Sequence, residues 1–232
     1  MKTVLLGILL TASTTTVAAA QSIVVDDFKT GPIQVSLHTA PGTESQFVDG
    51  ASILQGERNV RVSGSSVAGG DITAEVANDL FSFDRPAGST GTIELWWDGN
   101  NDSTTFAPTG LGGIDLTANG QNALLLKTTA SSSVSLFLEL YVWTDGGHAS
   151  VTSLAFLLGA TNITIPYTSF VASAGTGADF SNVGAIFLGT STGADQPWSL
   201  SIDDLRTVNM NSIFEDDFES GGTSRWSSTH PA

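Results

Sequence analysis

The residues whose types and spacing are best suited to a chemical role are the aromatic and acidic residues of one stretch, SVSLFLELYVW. In an extended strand, successive side chains point to opposite faces. Aliphatic side chains therefore occupy one face of this stretch, and Phe137, Glu139, Tyr141 and Trp143 occupy the other. Aromatic rings stack on the apolar faces of sugars, and neighbouring carboxylates accept hydrogen bonds from sugar hydroxyls. The pattern predicts a platform for carbohydrate.

A second stretch, TIELWWDG, repeats this alternation and extends the platform. The side chains assigned to the platform are Trp96, Glu94, Phe137, Glu139, Tyr141 and Trp143. An alternative interpretation is that the same residues form a second small core beneath a long loop. Because exposed aromatic residues in a row are unusual without a ligand, the exposure of these rings decides between the two interpretations.

Signals for catalysis are few. The chain has no cysteine and no H-E-x-x-H, so hydrolysis by a thiol nucleophile or by zinc lacks the residues that it needs. Glu94 and Glu139 are the best pair for a glycosidase that uses two carboxylates. We interpret them instead as solvated acids on two strands, and we expect a protein that is not an enzyme.

A weaker signal for a metal lies in the segment DGNND. Asp98, Asn100 and Asp102 have the D-x-N-x-D spacing of oxygen ligands for Ca²⁺. The glycine and the late glutamate of an EF-hand loop are missing, so a plain turn is the competing interpretation.

Composition and charge restrict the partners. The 232 residues include 8 Lys and Arg against 23 Asp and Glu, a net charge of −15. Such a surface repels phosphate backbones, so nucleic-acid binding is not expected. Residues 1–20 have the charged start, short apolar run and small-residue end of a secretory signal peptide, and the apolar run is too short to span a bilayer. We expect a secreted or cell-surface protein without a membrane span; its oligomeric state is left open.

The remaining chain reads as short strands separated by turn residues. The predicted strands cover residues 22–28, 33–38, 57–62, 74–83, 92–97, 123–128, 134–143, 153–158, 162–166, 183–189 and 198–203. The segments APGTE and ASAGTGAD have turn or loop compositions. This arrangement predicts one all-β domain over residues 21–208, a two-sheet antiparallel sandwich, followed by a polar tail over 209–232.

Three motifs support a family resemblance: IVVDDF, NITIPYTSFVASAGTGADFSNVGAIFLG and SLSIDDLRTV. Together they resemble the galactose-binding-like jelly rolls of carbohydrate-binding modules and of complex I intermediate-associated proteins. The segments ILQGERNVRV and GLGGIDLTANGQNALLLK resemble secreted bacterial proteins that add a C-terminal sorting signal to this sandwich, although no such signal ends this chain. The resemblance implies a jelly roll in which the first and last strands are neighbours and a structural Ca²⁺ lies near them.

Four acids fit that implied calcium site: Asp26, Asp27, Asp203 and Asp204. Asp204 shares the strand parity of Leu200 and Ile202, so its carboxylate should turn inward and need a partner. Ca²⁺, Arg206 or backbone N–H groups could each be that partner. Taken together, these patterns predict a secreted, non-enzymatic module that binds carbohydrate or another extracellular ligand. The alternatives are a structural matrix or envelope protein without a small ligand and, less favoured, a glycan hydrolase.

Overall fold

The computed structural model describes residues 21–99, 103–131, 136–156, 162–190 and 197–211. The predicted signal peptide and residues 212–232 of the predicted tail lie outside these ranges. Within them the chain forms the strands β1 (Val24–Asp26), β2 (Ile33–Leu37), β3 (Gly42–Asp49), β4 (Glu57–Val67), β5 (Ile72–Ala77), β6 (Leu80–Arg85), β7 (Ser89–Trp97), β8 (Ala123–Ser131), β9 (Leu136–Asp145), β10 (His148–Phe156), β11 (Asn162–Pro166), β12 (Val171–Ala174), β13 (Ala185–Thr190) and β14 (Trp198–Val208).

These strands form two antiparallel sheets. Sheet 1 has the order β11-β8-β14-β6-β5-β2, with β1 also paired to β14, and sheet 2 has the order β12-β10-β9-β13-β7-β4-β3. The chain crosses repeatedly between the sheets, as in a jelly roll. The predicted two-sheet antiparallel sandwich is confirmed. In the described part of the chain, no helix is long and apolar enough to cross a membrane.

The core lies between the sheets and is built from the alternating positions of the strands. Leu138, Leu140 and Val142 of β9 are fully buried, and Ile93 and Leu95 of β7 are nearly so. Their strand neighbours point to the outer face of sheet 2. The alternation predicted for both strands is therefore confirmed, and it determines which side chains can form a surface site.

The first and last strands are neighbours, as the resemblance implies. Val24 lies opposite Arg206, and Asp26 lies opposite Leu205. The first half of β14 pairs with β6, and β1 takes the place of β6 beside the second half. The aspartates at the two ends of the domain are thus on adjacent strands.

Two features of the chain differ from the sequence-based expectation. The single strand predicted over residues 74–83 is the hairpin β5–β6, whose turn residues Asn78 and Asp79 have φ values of 53° and 61°. Positive φ at both central residues is typical of a type I′ turn. The segments predicted as turns contribute to β3 and β12, which are the two edge strands of sheet 2. Both are largely exposed and lack apolar alternation, so their sequence carries no strand signal.

Candidate functional site

The outer face of sheet 2 carries a groove that follows β13. Strand register places the outward side chains of adjacent strands in rows across the sheet. One row contains Tyr141 of β9, Phe187 of β13 and Trp96 of β7. Residues two positions farther along each strand form the next row, so each step along the groove is about 6.7 Å.

The next row is the polar part of the groove. Its members, in order from β9 to β4, are Glu139, Gly189, Glu94 and Arg61. Because Gly189 has no side chain, the two glutamates face each other across a gap of two strand spacings, about 9.5 Å between their backbones. A Cβ atom at Gly189 would lie 2.7 Å from Cε1 of Phe187, so the Phe187 ring leans over Gly189 and forms the floor between the glutamates.

Together the rows enclose a cavity of about 430 Å³, within the size range of small-molecule sites. Its lining residues are Arg61, Glu94, Trp96, Phe106, Glu139, Tyr141, Trp143, Phe187, Gly189 and Thr190. Five of the six residues predicted for the platform are among them. Phe137, the sixth, lies one row beyond Glu139 on β9 and is 49% exposed.

Edge-to-face contacts hold the aromatic part of the groove together. The Phe106 ring lies 5.6 Å from Trp143 and 6.3 Å from Phe187, and Tyr141 lies 5.8 Å from Phe187. Sequence reasoning missed Phe106 and Phe187 as site residues. Phe187 belongs to a strand that is apolar on both faces, and Phe106 lies in the loop after β7, where no periodicity indicates its direction.

Arg61 and Glu94 form an ion pair on the β7 side of the groove. The Arg61 Nε–H donates to Glu94 Oε2 over 2.6 Å, and the guanidinium lies 5.1 Å from the centre of the Trp96 ring. This cover leaves Trp96 only 1% exposed. The Trp96 ring therefore supports Arg61 from below and presents little surface of its own.

Glu139 lies opposite, on the β9 side, and has a different partner. The Tyr141 hydroxyl donates to Glu139 Oε2 over 3.1 Å. Partial burial raises the pKa of Tyr141, and the charge and hydrogen bond of Glu139 raise that pKa further. None of the ion pairs among the described residues involves Glu139. Its carboxylate can therefore accept further hydrogen bonds from a ligand.

The two interpretations of the aromatic cluster each describe one part of it. At the Phe106 end, the loop after β7 packs on Trp143 and Phe187 as a small core. At the Gly189 end, Tyr141 and Glu139 remain half-buried and accessible. The predicted platform is therefore a groove with one covered end.

The four acids assigned to calcium are adjacent in the fold but have separate surroundings. Asp26 is fully buried, and its carboxylate accepts hydrogen bonds from Arg58 (2.8 and 3.0 Å), from the indole N–H of Trp97 (2.9 Å) and from the backbone N–H of Phe28 (2.8 Å). Burial raises the pKa of Asp26, and these donors oppose that rise. Its acceptor positions are filled by protein groups.

The other three acids of this set do not join Asp26. Asp27 accepts from the Lys29 ammonium over 2.9 Å. Asp204 is buried between Arg206 and Lys127, whose ammonium lies 3.4 Å from Oδ2. In the part of the chain that is described, no three His, Asp or Glu side chains are placed to hold a metal ion together. The residues do not fit a shared calcium site, and whether the protein binds Ca²⁺ stays a prediction.

The weaker metal candidate is described only at its first residue. Asp98 is buried and accepts from Asn59 Nδ2 over 3.2 Å and from the backbone N–H of Ala107 over 2.6 Å. Asn100 and Asp102 lie outside the described residues. Asp98 thus anchors the loop that carries Phe106, and metal binding by this segment stays untested.

Comparison with known proteins gives matches in structure only. No protein-family model and no curated protein matches the chain. The chain is similar to the family 11 carbohydrate-binding module of the cellulosomal cellulase Lic26A-Cel5E of Clostridium thermocellum, with a TM-score of 0.43 and 12% identity over 82% of this chain and 96% of that one.

Two further structures contain a bound oligosaccharide. A structure of the Clostridium thermocellum family 11 module with a beta-1,3-1,4-mixed-linked tetrasaccharide matches with the same TM-score and identity, over 82% of this chain and 97% of that one. TmCBM61 in complex with beta-1,4-galactotriose matches with a TM-score of 0.34 and 15% identity, over 64% of this chain and 87% of that chain.

Proposed function

We propose that the protein is a non-enzymatic carbohydrate-binding protein and that the groove of sheet 2 is its binding site. One observation carries this proposal. Two carboxylates, one guanidinium and a set of aromatic rings, contributed by four adjacent strands and one loop, line a single cavity. Neutral sugars need both an apolar surface and a mixture of hydrogen-bond donors and acceptors.

The geometry assigns a role to each side of the groove. The half-buried rings of Tyr141 and Trp143 offer apolar surface to the C–H face of a sugar ring. Glu139 accepts hydrogen bonds from hydroxyls on one side. Glu94 accepts them on the other, and Arg61 donates to hydroxyl or ring oxygens there.

Hydrolysis is less well supported than binding by the same carboxylates. A glycosidase needs one carboxyl group that holds its proton while the other is ionised. Arg61 pairs with Glu94, and the Tyr141 hydroxyl donates to Glu139. Both carboxylates are therefore engaged by donors that belong to the groove itself.

The site of action that we propose is extracellular. Residues 1–20 have the pattern of a signal peptide, and the net charge of −15 disfavours anionic ligands. Neutral polysaccharides outside the cell are therefore the favoured class of ligand.

The proposal is tested by glycan-array binding of the wild-type protein and of Trp143→Ala. We expect binding to neutral glycans that the substitution abolishes or strongly weakens. Phe47→Ala is the matched control, because Phe47 is a 38% exposed aromatic residue of the same sheet on β3, and it does not line the cavity. Equal binding by wild type and Trp143→Ala would place the site elsewhere, and absence of any glycan binding would favour a structural role.

A separate assay distinguishes binding from hydrolysis. Release of reducing ends from a bound polysaccharide is measured for the wild type, Glu94→Gln and Glu139→Gln. We expect no release by any of them. Turnover by the wild type that either substitution removes would show that the groove is catalytic.

A further inference from the structure

We propose that the groove receives the end of a glycan chain and not an internal stretch. This inference rests on the proposed carbohydrate binding and concerns the class of ligand. Its basis is the shape of the groove, which a loop closes at one end. A chain interior must leave a site at both ends, whereas a chain terminus needs only one exit.

Phe106 forms the closed end. Its ring packs edge-to-face on Trp143 and on Phe187, so it lies across the groove beyond the aromatic row. From the Trp143 position to the Glu139 position is four residues along β9, about 13 Å. This distance is the length of floor available to a ligand between the loop and the polar row.

Hydrogen bonds fix the loop that carries Phe106 to the sheet at several points. The backbone N–H of Ala107 donates to Asp98 over 2.6 Å, and the N–H of Leu111 donates to the carbonyl of Gly184 over 2.8 Å. A little farther along, Ile114 and Val183 form an isolated bridge. The closed end is thus anchored by the residues that directly follow Phe106.

Backbone atoms of the loop also touch the sheet directly. A Cβ atom at Gly110 would lie 1.7 Å from the carbonyl oxygen of Asp98, and a Cβ at Gly184 would lie 2.3 Å from the carbonyl oxygen of Pro108. No side chain fits between the loop and the strands at these points. The loop that carries Phe106 is therefore packed backbone against backbone on the sheet, which leaves it little freedom to open like a lid.

The opposite end of the groove has a different character. Beyond the polar row, the outward residues are Phe137 on β9, Thr92 on β7 and Ser63 on β4. Phe137 is 49% exposed, and the Ser63 and Thr92 hydroxyls lie 2.8 Å apart.

These features give the bound chain a direction. The terminal sugar lies against Trp143 with Phe106 beyond it, the next part passes Glu139 and Glu94, and the chain leaves beside Phe137. The Phe137 ring lies where a following sugar can stack.

The test uses mixed-linkage β-1,3-1,4-glucan, β-1,4-galactan, xylan and mannan, each intact and after partial cleavage by an endo-acting hydrolase. The amount of protein bound at saturation is measured per gram of polysaccharide. We expect it to rise in proportion to the number of chain ends created by cleavage. Binding that depends on mass alone, unchanged by cleavage, would overturn chain-end recognition while leaving the carbohydrate-binding proposal intact.

Absence of binding to every intact and cleaved polysaccharide would instead contradict the proposed function itself. The two failures are therefore distinguishable. The measurement on the wild-type protein decides the question even if a variant of the closed end does not fold.

Two substitutions test the direction of the chain. Phe106→Ala should open the closed end, so binding to intact polysaccharide rises towards the value for the cleaved material. Thr105→Ala, at an exposed position of the same loop, should bind like the wild type. Phe137→Ala should weaken binding of long oligosaccharides by about two- to tenfold, the value of one aromatic contact, and leave the shortest bound oligosaccharide unaffected. Equal weakening at all lengths would contradict the proposed exit.

Discussion

Two arginines of β4 form the same kind of unit in opposite surroundings. Arg58 pairs with the carboxylate of Asp26 and lies 5.2 Å from the centre of the Phe28 ring. Arg61 pairs with Glu94 and lies 5.1 Å from the centre of the Trp96 ring. Because the two arginines are three positions apart on a strand, they point to opposite faces of sheet 2. The Arg58 side chain is fully buried, whereas that of Arg61 is 39% exposed.

The comparison shows that burial, and not residue type, separates a structural ion pair from one that can meet a ligand. Arg58 also donates to the carbonyl of Thr30 over 2.6 Å and ties β1 to β4 across the interior. Asp26 is surrounded by protein donors, so a ligand has no access to it. Around Glu94 and Arg61 the groove is open, so a sugar hydroxyl can add to or replace part of the ion pair.

The largest expected effect separates the two arginines by stability. Arg58→Met removes the cation from a buried carboxylate, and loss of one partner of a buried ion pair costs about 3–5 kcal/mol. The same substitution at Arg61 acts on a partly exposed pair, and it should change the free energy of unfolding by no more than about 1 kcal/mol. Urea denaturation of the two variants measures the difference. Similar losses in both would mean that the outer pair is as structural as the inner one.

The second expected effect is on ligand binding, where Arg61 and not Arg58 should matter. Arg61→Met should weaken the binding of the neutral glycan recognised by the wild type by roughly tenfold, about 1.4 kcal/mol, because a charged donor is lost from the groove. Arg58→Met, measured at a temperature where it is folded, should bind that glycan as the wild type does. Isothermal titration calorimetry gives both affinities. Unchanged affinity in Arg61→Met would remove the ion pair from the proposed site.

Sequence reasoning reached the fold because alternation and core burial are local signals. The parity of β7 and β9 placed Leu95 and Leu140 inside and Glu94 and Glu139 outside, as the structure has them. The edge strands β3 and β12 were not predicted, because hydrogen bonding to a neighbouring strand, and not an apolar face, keeps them in the sheet. The hairpin after Ala77 was not predicted because strand-forming residues stand directly on both sides of Asn78-Asp79, so the sequence has the pattern of one continuous strand.

For the candidate site, the sequence could predict only which side chains of one strand share a face. Glu139, Tyr141 and Trp143 share a face by alternation, and no pattern indicates that Phe106 crosses from a loop to close the groove. The acids assigned to calcium illustrate the same limit. Asp26 and Asp204 are brought together by strand pairing, as expected, and Arg206, one of the partners considered for Asp204, pairs with it. The other cations, Arg58 and Lys127, come from β4 and β8 and are far from these acids in sequence.

A smaller effect tests the side of the groove opposite Arg61. The chain has two tyrosines, and their ionisation can be followed by ultraviolet absorbance. Burial, and then the charge and hydrogen bond of Glu139, raise the pKa of Tyr141. Glu139→Gln removes the charge, so Tyr141 should ionise at lower pH than in the wild type.

Tyr167 is the internal control, because burial and the charge of Asp115 raise its pKa independently of Glu139. A tyrosine pKa that is higher in the folded than in the unfolded protein means that the neutral side chain favours folding. The contribution of Tyr141 to stability is therefore complete below the ordinary tyrosine pKa and is lost as the pH rises through its higher pKa in the folded protein. An unchanged titration of Tyr141 in Glu139→Gln would contradict their contact.

The smallest effect concerns the inner pair and calcium. If protein cations balance the charges of Asp26 and Asp204, addition of a chelator should leave the thermal unfolding midpoint unchanged, because no ion contributes to these acids. A Ca²⁺ bound at a hundred times its dissociation constant adds about 2.7 kcal/mol, so its removal would lower the midpoint measurably. A chelator-dependent midpoint that persists in Asp204→Asn but is lost in Asp98→Asn would assign the ion to the loop that closes the groove. Calcium would then belong to the groove of sheet 2 and not to the interior between the sheets, which would extend the contrast between the two arginines to the metal.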